Sequence, residues 1–325
     1  MAPTLNANAL TQTRGFRKAS PVGVAFSKTG AFSVSTATRL TIEVNGGAVD
    51  IPALTTVTMP GSPVAGTDYA IWVKTDGSLE ATANHTTPPA TGARKIGGFH
   101  YAPGGNAAAQ AGGDSTPGIN PYSLWDLKWR PACPDPRGMT LVADGFWVDI
   151  YLTGVDALTN GSSKYNVTIA DGSSPPKVPT LFGGDGSATY GSYTWFEAQE
   201  LAAAFGKRCP TQQEFMAAAF GVTEATSRGS DPVSTILDAA RTSKWGLIGA
   251  TGNLWVWGDE RGGPTSNTAT EGRGSETSAP NAARFGGDWD YGASPGSRSS
   301  LWGNAASASS SSIGSRFACD HLWLE

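Results

Sequence analysis

Apolar and polar side chains alternate along the first third of the chain. In TIEVNGGAVDI, Thr41–Ile51, the alternation runs into Asn45-Gly46 and resumes beyond it, and in DYAIWVKTDGSLEA, Asp68–Ala81, it brackets Asp76-Gly77. A period of two puts one face of a strand inward, and both dipeptides favour the positive φ angles of tight hairpins. The pattern predicts an all-β domain over residues 1–113. It ends in APGGNAAAQAGGDSTPG, Ala102–Gly118, which reads as a linker or exposed loop. No solenoid-type repeat is present.

The period changes further on. TWFEAQELAAAFG, Thr194–Gly206, predicts a short helix that Thr194 caps, Glu197 closes from three residues downstream, and Gly206 stops. TQQEFMAAAFG, Thr211–Gly221, repeats the device with Thr211, Glu214 and Gly221. Tryptophan-rich strand fragments follow at Gly252–Glu260, Arg284–Asp290 and Ser315–Glu325, separated by long Gly/Ser/Thr connections. Residues 114–325 therefore read as an α+β domain whose loops carry the function.

Composition narrows the field. The 325 residues hold 39% hydrophobic side chains and 11 Trp, enough for real cores, while 42 Gly and 21 Pro favour short strands and turns over long helices. A net charge of −4 argues against a nucleic-acid partner. No apolar run is long enough to span a membrane, and MAPTLNANALTQTRGF lacks the apolar stretch of a secretory signal. Cys133, Cys209 and Cys319 are too few and too scattered for a disulfide framework or a zinc site, so they read as buried thiols.

A resemblance then adds a fold and a function. TWFEAQELAAAFGKRCPTQQEFMAAAFG, GNLWVWGDE, FGGDW and GSRFACD follow in order the landmarks of the formylglycine-generating-enzyme type of C-type lectin fold. RKIGGFHYAPGGNAAAQAGG (Arg94–Gly113), YSLWDLKWRPACPDPRGMTLVADGFWVDIYLTGV (Tyr122–Val155) and SKYNVTIADGS (Ser163–Ser173) resemble the major tropism determinants, a family of phage tail-fibre receptor-binding proteins diversified by a retroelement. The resemblance covers almost everything after about residue 20. It implies a β-sandwich-like domain followed by a C-type lectin domain, and an intertwined homotrimer. The family's extra N-terminal β-prism has no counterpart here, which leaves attachment to the virion open.

The resemblance places the diversified segment at about residues 285–316. Carried across singly, its variable positions are Asp288, Asp290, Tyr291, Gly292, Ser294, Leu301, Gly303, Asn304, Ala308, Ser310, Ser312 and Ile313. Diversification of this kind changes adenines in codons ending in a pyrimidine, so it never yields Lys, Glu, Gln, Met or Trp, and none of the twelve carries one. Trp289, Trp302 and Arg316 stand between them and read as scaffold. On this reading the Ser/Ala tract is one outcome of diversification; the competing reading is a Ser-rich loop without contacts. Tyr291, Leu301 and Ile313 are the expected apolar anchors, and Asp288 with Asp290 would favour a basic or hydrogen-bond-donating epitope.

Rival chemistries fare worse. The cysteine pair of formylglycine-generating enzymes has no counterpart in Leu301–Arg316, and His85, His100 and His321 lack metal-ligand spacing. GASPG, Gly292–Gly296, matches a nucleophile-elbow pattern, but Pro295 follows the serine and has no N–H for an oxyanion. Asp288 and Asp290, with Asn304 close after Trp302, resemble parts of a calcium-dependent sugar site, yet no cage of six to eight oxygens assembles from them. FGGDG, Phe182–Gly186, reads as a turn rather than a phosphate loop.

The expectation is thus a non-enzymatic receptor-binding protein without cofactor or metal. Its partners would be a bacterial surface receptor, protein in preference to glycan, and two further copies of itself. It would sit on a virion tail fibre after assembly in the host cytoplasm. A structural fibre protein without a ligand and a calcium-dependent lectin remain the alternatives.

Overall fold

The structure, a computed structural model, describes residues 13–264, 268–269, 275–276 and 280–324, so the N-terminal stretch judged for a secretory signal lies largely outside the described residues, as does Glu325. Strands dominate, with few and short helices, in keeping with the α+β expectation. Two compact units emerge. The first holds residues up to Pro103, Thr116–Ala132 and the C-terminal Asp320–Glu325; the second holds Gly104–Ser115 and Cys133–Cys319. The division thus differs from a single cut after residue 113.

The first unit contains β1 (Phe16–Lys18), β2 (Phe26–Gly30), β3 (Ser33–Thr36), β4 (Leu40–Val44), β5 (Gly47–Ile51), β6 (Thr67–Val73), β7 (Leu79–Thr82), β8 (Arg94–Ala102), β9 (Gly118–Ile119), β10 (Trp125–Asp126) and β11 (Trp129–Pro131). β1, β4 and β5 form one sheet, and β8 lies between β10 and β6 in another, with β7 beyond β6. Asn45 and Gly46 turn the β4–β5 hairpin with φ of 48° and 80°, the two-residue turn that their dipeptide signals. The β6–β7 turn is built differently. Only Gly77 has positive φ, at 86°, while the Asp76 carboxylate accepts from the Ser78 amide at 2.9 Å. Asp76 serves here through its side chain. Phe16, Phe26, Ile42, Ile71, Ile96 and Phe99 are among the buried residues of the core.

All three histidines lie in this unit. The His100 ring nitrogen is 3.0 Å from the Asp68 carboxylate, and His85 lies 3.1 Å from the Asp68 carbonyl. These two, distant in sequence, therefore meet on one residue. His321 packs edge-on against Trp129 with ring centroids 4.3 Å apart.

The second unit contains β12 (Met139–Val142), β13 (Phe146–Asp149), α1 (Ala157–Asn160), α2 (Trp195–Ala204), α3 (Gln212–Ala219), β14 (Trp255–Pro264), β15 (Thr268–Ala269), β16 (Ser275–Glu276), β17 (Pro280–Phe285), β18 (Ser300–Asn304) and β19 (Ile313–Gly314). The last strand, β20 (Ala318–Trp323), starts here and ends in the first unit, where it pairs with β11. Thr194 and Thr211 cap α2 and α3, each with the expected glutamate closing a reciprocal capping box. Gly206 and Gly221 follow with φ of 65° and 101°. Replacing Thr211 with Ala should cost about 1 kcal/mol, read as a lowered denaturation midpoint; an unchanged midpoint would contradict the cap's role.

Four strands run in the order β18-β17-β14-β19. Their alternation divides the core between two faces. Val256, Ala283 and Phe285 join Phe215 of α3 and the β12–β13 hairpin on one side. Trp255, Trp257 and Ala282 join Leu201 of α2, Tyr193 and Phe317 on the other.

Two loops depart from, or refine, their sequence reading. The Gly/Ala-rich stretch is no free linker, because Ala107, Gly112 and Gly113 donate backbone hydrogen bonds to the carbonyls of Ser243, Gly221 and Ala239. Phe182–Gly186 is a turn as expected: the Asp185 carboxylate accepts from Ser187 N–H, Ser187 Oγ and Ala188 N–H at 2.7–2.9 Å. Those bonds to the ionised form, the Ala188 amide foremost, hold its pKa down to about 2. A depressed carboxylate pKa means that the turn's support is present above the ordinary Asp range and is lost as pH falls through about 2. An NMR titration of the Asp185 carboxyl carbon should show that midpoint; one near 4 would contradict it.

Candidate functional site

Tryptophans at i and i+2 of a strand share a face, and in β14 they make a floor. Trp255 and Trp257 are 3% and 0% exposed. Strand register sets Arg284 of β17 opposite Trp257, and Leu301 of β18 opposite Arg284. Ile313 of β19 lies opposite Trp255 in the parallel pair. The Arg284 guanidinium lies 5.7 Å from the Trp255 ring centre and 5.6 Å from that of Trp257, within cation–π range.

Around this floor run two loops that carry the expected variable positions. The first leaves β17 through Gly286 and Gly287, with φ of 94° and 79°. Its carbonyls at Trp289, Gly292 and Pro295 accept from the amides of Gly229, Ser227 and Ala225. Glu224 fixes the far end, accepting from Ser297 N–H at 2.9 Å and Ser297 Oγ at 2.6 Å. Main-chain bonds and the Glu224–Ser297 contact thus hold the loop. Asp290, Tyr291, Gly292 and Ser294 are exposed, and Asp288 is half-buried. Tyr291 leans edge-on against Trp255 with centroids 5.1 Å apart.

The Ser/Ala tract is pinned in the same manner. Ala306 is buried, and its carbonyl accepts from Trp195 N–H at 3.0 Å. The Ser309 hydroxyl accepts from Tyr193 N–H at 2.9 Å, the Ser310 carbonyl from Gly172 N–H at 3.0 Å, and the Ser312 carbonyl from Trp255 N–H at 2.8 Å. These bonds exclude the reading of a Ser-rich loop without contacts. Gly303 and Ser310 are exposed, while Leu301, Asn304, Ala308 and Ser312 are half-buried. Leu301 and Ala308 pack on the cluster that holds Trp255 and Trp257. Tyr291, Leu301, Ala308 and the Ser310–Ser312 turn therefore surround one floor.

Ile313 needs a correction. Expected as an apolar anchor for a ligand, it is 2% exposed and belongs to the core beneath the loops. Its pairing with Trp255 turns the side chain inward, so it supports the face without being displayed on it.

The scaffold residues divide by role. Arg316 is 1% exposed, and its guanidinium donates to the carbonyls of Asp149, Ile150, Ile248 and Gly249. Trp302 points to the opposite side of the sheet from Leu301, half-buried against Phe285 at 6.2 Å. Truncating Trp302 to Ala should therefore cost about 2 kcal/mol, below the range for a fully buried tryptophan; an unchanged melting temperature would contradict its supporting role. Trp255, Trp257 and Arg284 escaped the sequence reading. The Trp-x-Trp spacing of LWVW was the available signal for the floor.

Other expected features are placed as follows. Cys133, Cys209 and Cys319 are free and buried, but Cys133 and Cys319 are neighbours, the Cys133 amide donating to Cys319 Sγ at 3.0 Å. Ser294 is exposed and Pro295 buried in the GASPG string. Among the described residues, no group of three His, Cys, Asp or Glu side chains gathers as metal ligands, and no helix is long and apolar enough to cross a membrane.

Mostly short side chains thus stand on loops pinned by their main chain beside an aromatic floor, the geometry of a binding scaffold. A family profile described as the Mtd second domain matches residues 24–126. The tail fiber receptor-binding protein of Bordetella phage BPP-1 is 52% identical over 328 residues, covering 95% of this chain and 85% of that protein. Solved structures of the Major Tropism Determinant M1 and U1 variants match with TM-scores of 0.94 and 0.93 at 51% and 50% identity, covering 99% and 98% of this chain and 89% of each of theirs. The chain belongs to the major tropism determinant family.

Proposed function

We propose that this chain is the receptor-binding protein of a phage tail fibre, and that its second unit is a C-type lectin fold displaying retroelement-diversified side chains to a host-surface receptor. The observation that carries this reading is the separation of roles along one segment. Of the positions expected to vary, Tyr291, Leu301 and Ala308 pack on or beside Trp255 and Trp257, and Asp290, Gly292, Ser294, Gly303 and Ser310 are exposed, whereas Pro295, Gly296, Ser297, Ala306, Ser315 and Arg316 between and beyond them are buried. The displayed set is Asp288, Asp290, Tyr291, Gly292, Ser294, Leu301, Gly303, Asn304, Ala308, Ser310 and Ser312, with Ile313 acting from beneath. Binding is by shape and polarity complementarity. It involves no catalysis, cofactor or metal.

The partner is a bacterial surface protein, and the working form is a homotrimer on the virion. A face this poor in bulky groups gives weak single-site affinity, which three linked copies raise through effective concentration. Light scattering should return about three times the 33.5 kDa chain mass; a monomer mass would contradict the trimer. The binding test is attachment of the purified trimer to a panel of bacterial strains, some of them permissive for the phage. Attachment confined to permissive strains supports the reading, and attachment to none overturns it.

A further inference from the structure

We propose that Arg284 is a fixed anion anchor of the display face, taking a carboxylate from an acidic side chain on the receptor protein. The inference rests on the receptor-binding reading and names the ligand chemistry of that same face. Arg284 is 6% exposed, and its Nε is buried without a hydrogen-bond partner. No described residue accepts a hydrogen bond from its guanidinium. Its neighbours are the π faces of Trp255 and Trp257, which attract a cation but accept no directed N–H bond in the plane of the fork.

The other buried arginine among the described residues, Arg316, also has an unpartnered Nε, but its two terminal nitrogens are met by four backbone carbonyls, whereas those of Arg284 have no acceptor among the described contacts. Burial pulls the Arg284 pKa down to about 10, and Asp288 and Tyr291 nearby act in the opposite direction. The group is therefore a cation at neutral pH, attracted by Asp288 but forming no direct ion pair with it among the described contacts.

Docking a receptor on this face removes the remaining water. A guanidinium left without an acceptor would then oppose binding, because a buried unpaired donor bears its full desolvation penalty. A ligand that supplies a carboxylate replaces that penalty with a bidentate, charge-assisted pair. Only a narrow part of Arg284 is accessible, and Tyr291 and Leu301 beside it suit the methylenes of an Asp or Glu side chain.

The test uses the full-length protein labelled with 15N at arginine, following the Arg284 Nε–H resonance during titration with sodium acetate, and with sodium chloride at matched ionic strength. The expected result is a saturable shift with acetate alone, absent in Arg284→Met. No saturable shift, or an equal one with chloride, would overturn the proposal. A response to glucuronate without one to acetate would overturn it in favour of an acidic sugar. On permissive cells, Arg284→Met should lower attachment at least ten-fold, with a melting temperature unchanged or raised because a buried charge has been removed. A lowered melting temperature with undiminished attachment would instead mark Arg284 as structural. If the wild-type protein attaches to no strain while acetate still binds, the receptor reading fails and the anion site stands.

Discussion

Replacing Arg316 with Met should destabilise the second unit by roughly 3–5 kcal/mol, since several buried carbonyls lose their donors at about 1–3 kcal/mol apiece. Its two terminal nitrogens serve four carbonyls, on Asp149, Ile150, Ile248 and Gly249, and so tie the end of the displayed segment to two others. Methionine matches the length of the side chain and supplies no donor. Some cost is recovered, because burial already penalises the Arg316 charge and lowers its pKa to about 10. Ile150 O also keeps the Ile248 amide as a second partner. The remaining carbonyls still lose donors at a position only 1% exposed to solvent. A melting temperature lowered by about 10 °C is the expected reading for a unit of this size. A shift under 1 °C would show that Arg316 is not the clamp described.

Replacing Tyr291 with Ala should do the reverse, weakening attachment to permissive cells about ten- to a hundred-fold while leaving folding nearly intact. Tyr291 is 43% exposed, the one exposed large hydrophobic side chain among residues 285–316, and its ring already rests against Trp255. A half-immobilised aromatic loses little entropy on binding, and interface energy concentrates in such residues. Truncation removes an edge-on ring contact worth about 0.5–1.5 kcal/mol and opens no enclosed cavity. A melting temperature within about 3 °C of wild type is therefore expected. A variant that unfolds would place Tyr291 among the supports; one that attaches normally would remove it from the ligand contacts.

Local signals in the sequence marked local structure well. The Thr194–Glu197 and Thr211–Glu214 boxes needed only residues within one turn of each other, and both helices begin where those residues predict. Asn45-Gly46 carried its own backbone preference. Asp76-Gly77 did so only in part, because the Asp76 carboxylate found the Ser78 amide and a different turn resulted. The Ala102–Gly118 stretch was opaque for a physical reason: composition describes a chain's own flexibility, and the carbonyls that pin this loop lie far along the sequence.

The segment proposed as the site was singled out through the resemblance. Its floor was not. Placing Arg284 between Trp255 and Trp257 depends on the register of β14 against β17, which no single segment encodes. The same holds for Ile313, whose inward direction follows from its pairing with Trp255. Serines 309, 310 and 312 show the limit of composition most plainly. A tract whose composition suggests a loop without contacts is fixed by its main chain and by the Ser309 and Ser310 hydroxyls, the latter accepting from the Ser312 amide.

One measurement bears most directly on the idea of a still platform with exchangeable groups: thermal unfolding of a variant library randomised one position at a time. Substitutions at Asp290, Tyr291, Ser294 and Ser310 should keep melting temperatures within a few degrees of wild type, since exposed sites usually shift stability by about 0.5 kcal/mol. Polar replacements of Ile313 and any replacement of Arg316 should unfold the second unit early. Equal losses at both sets would contradict the account, because the displayed side chains would then be holding the fold together.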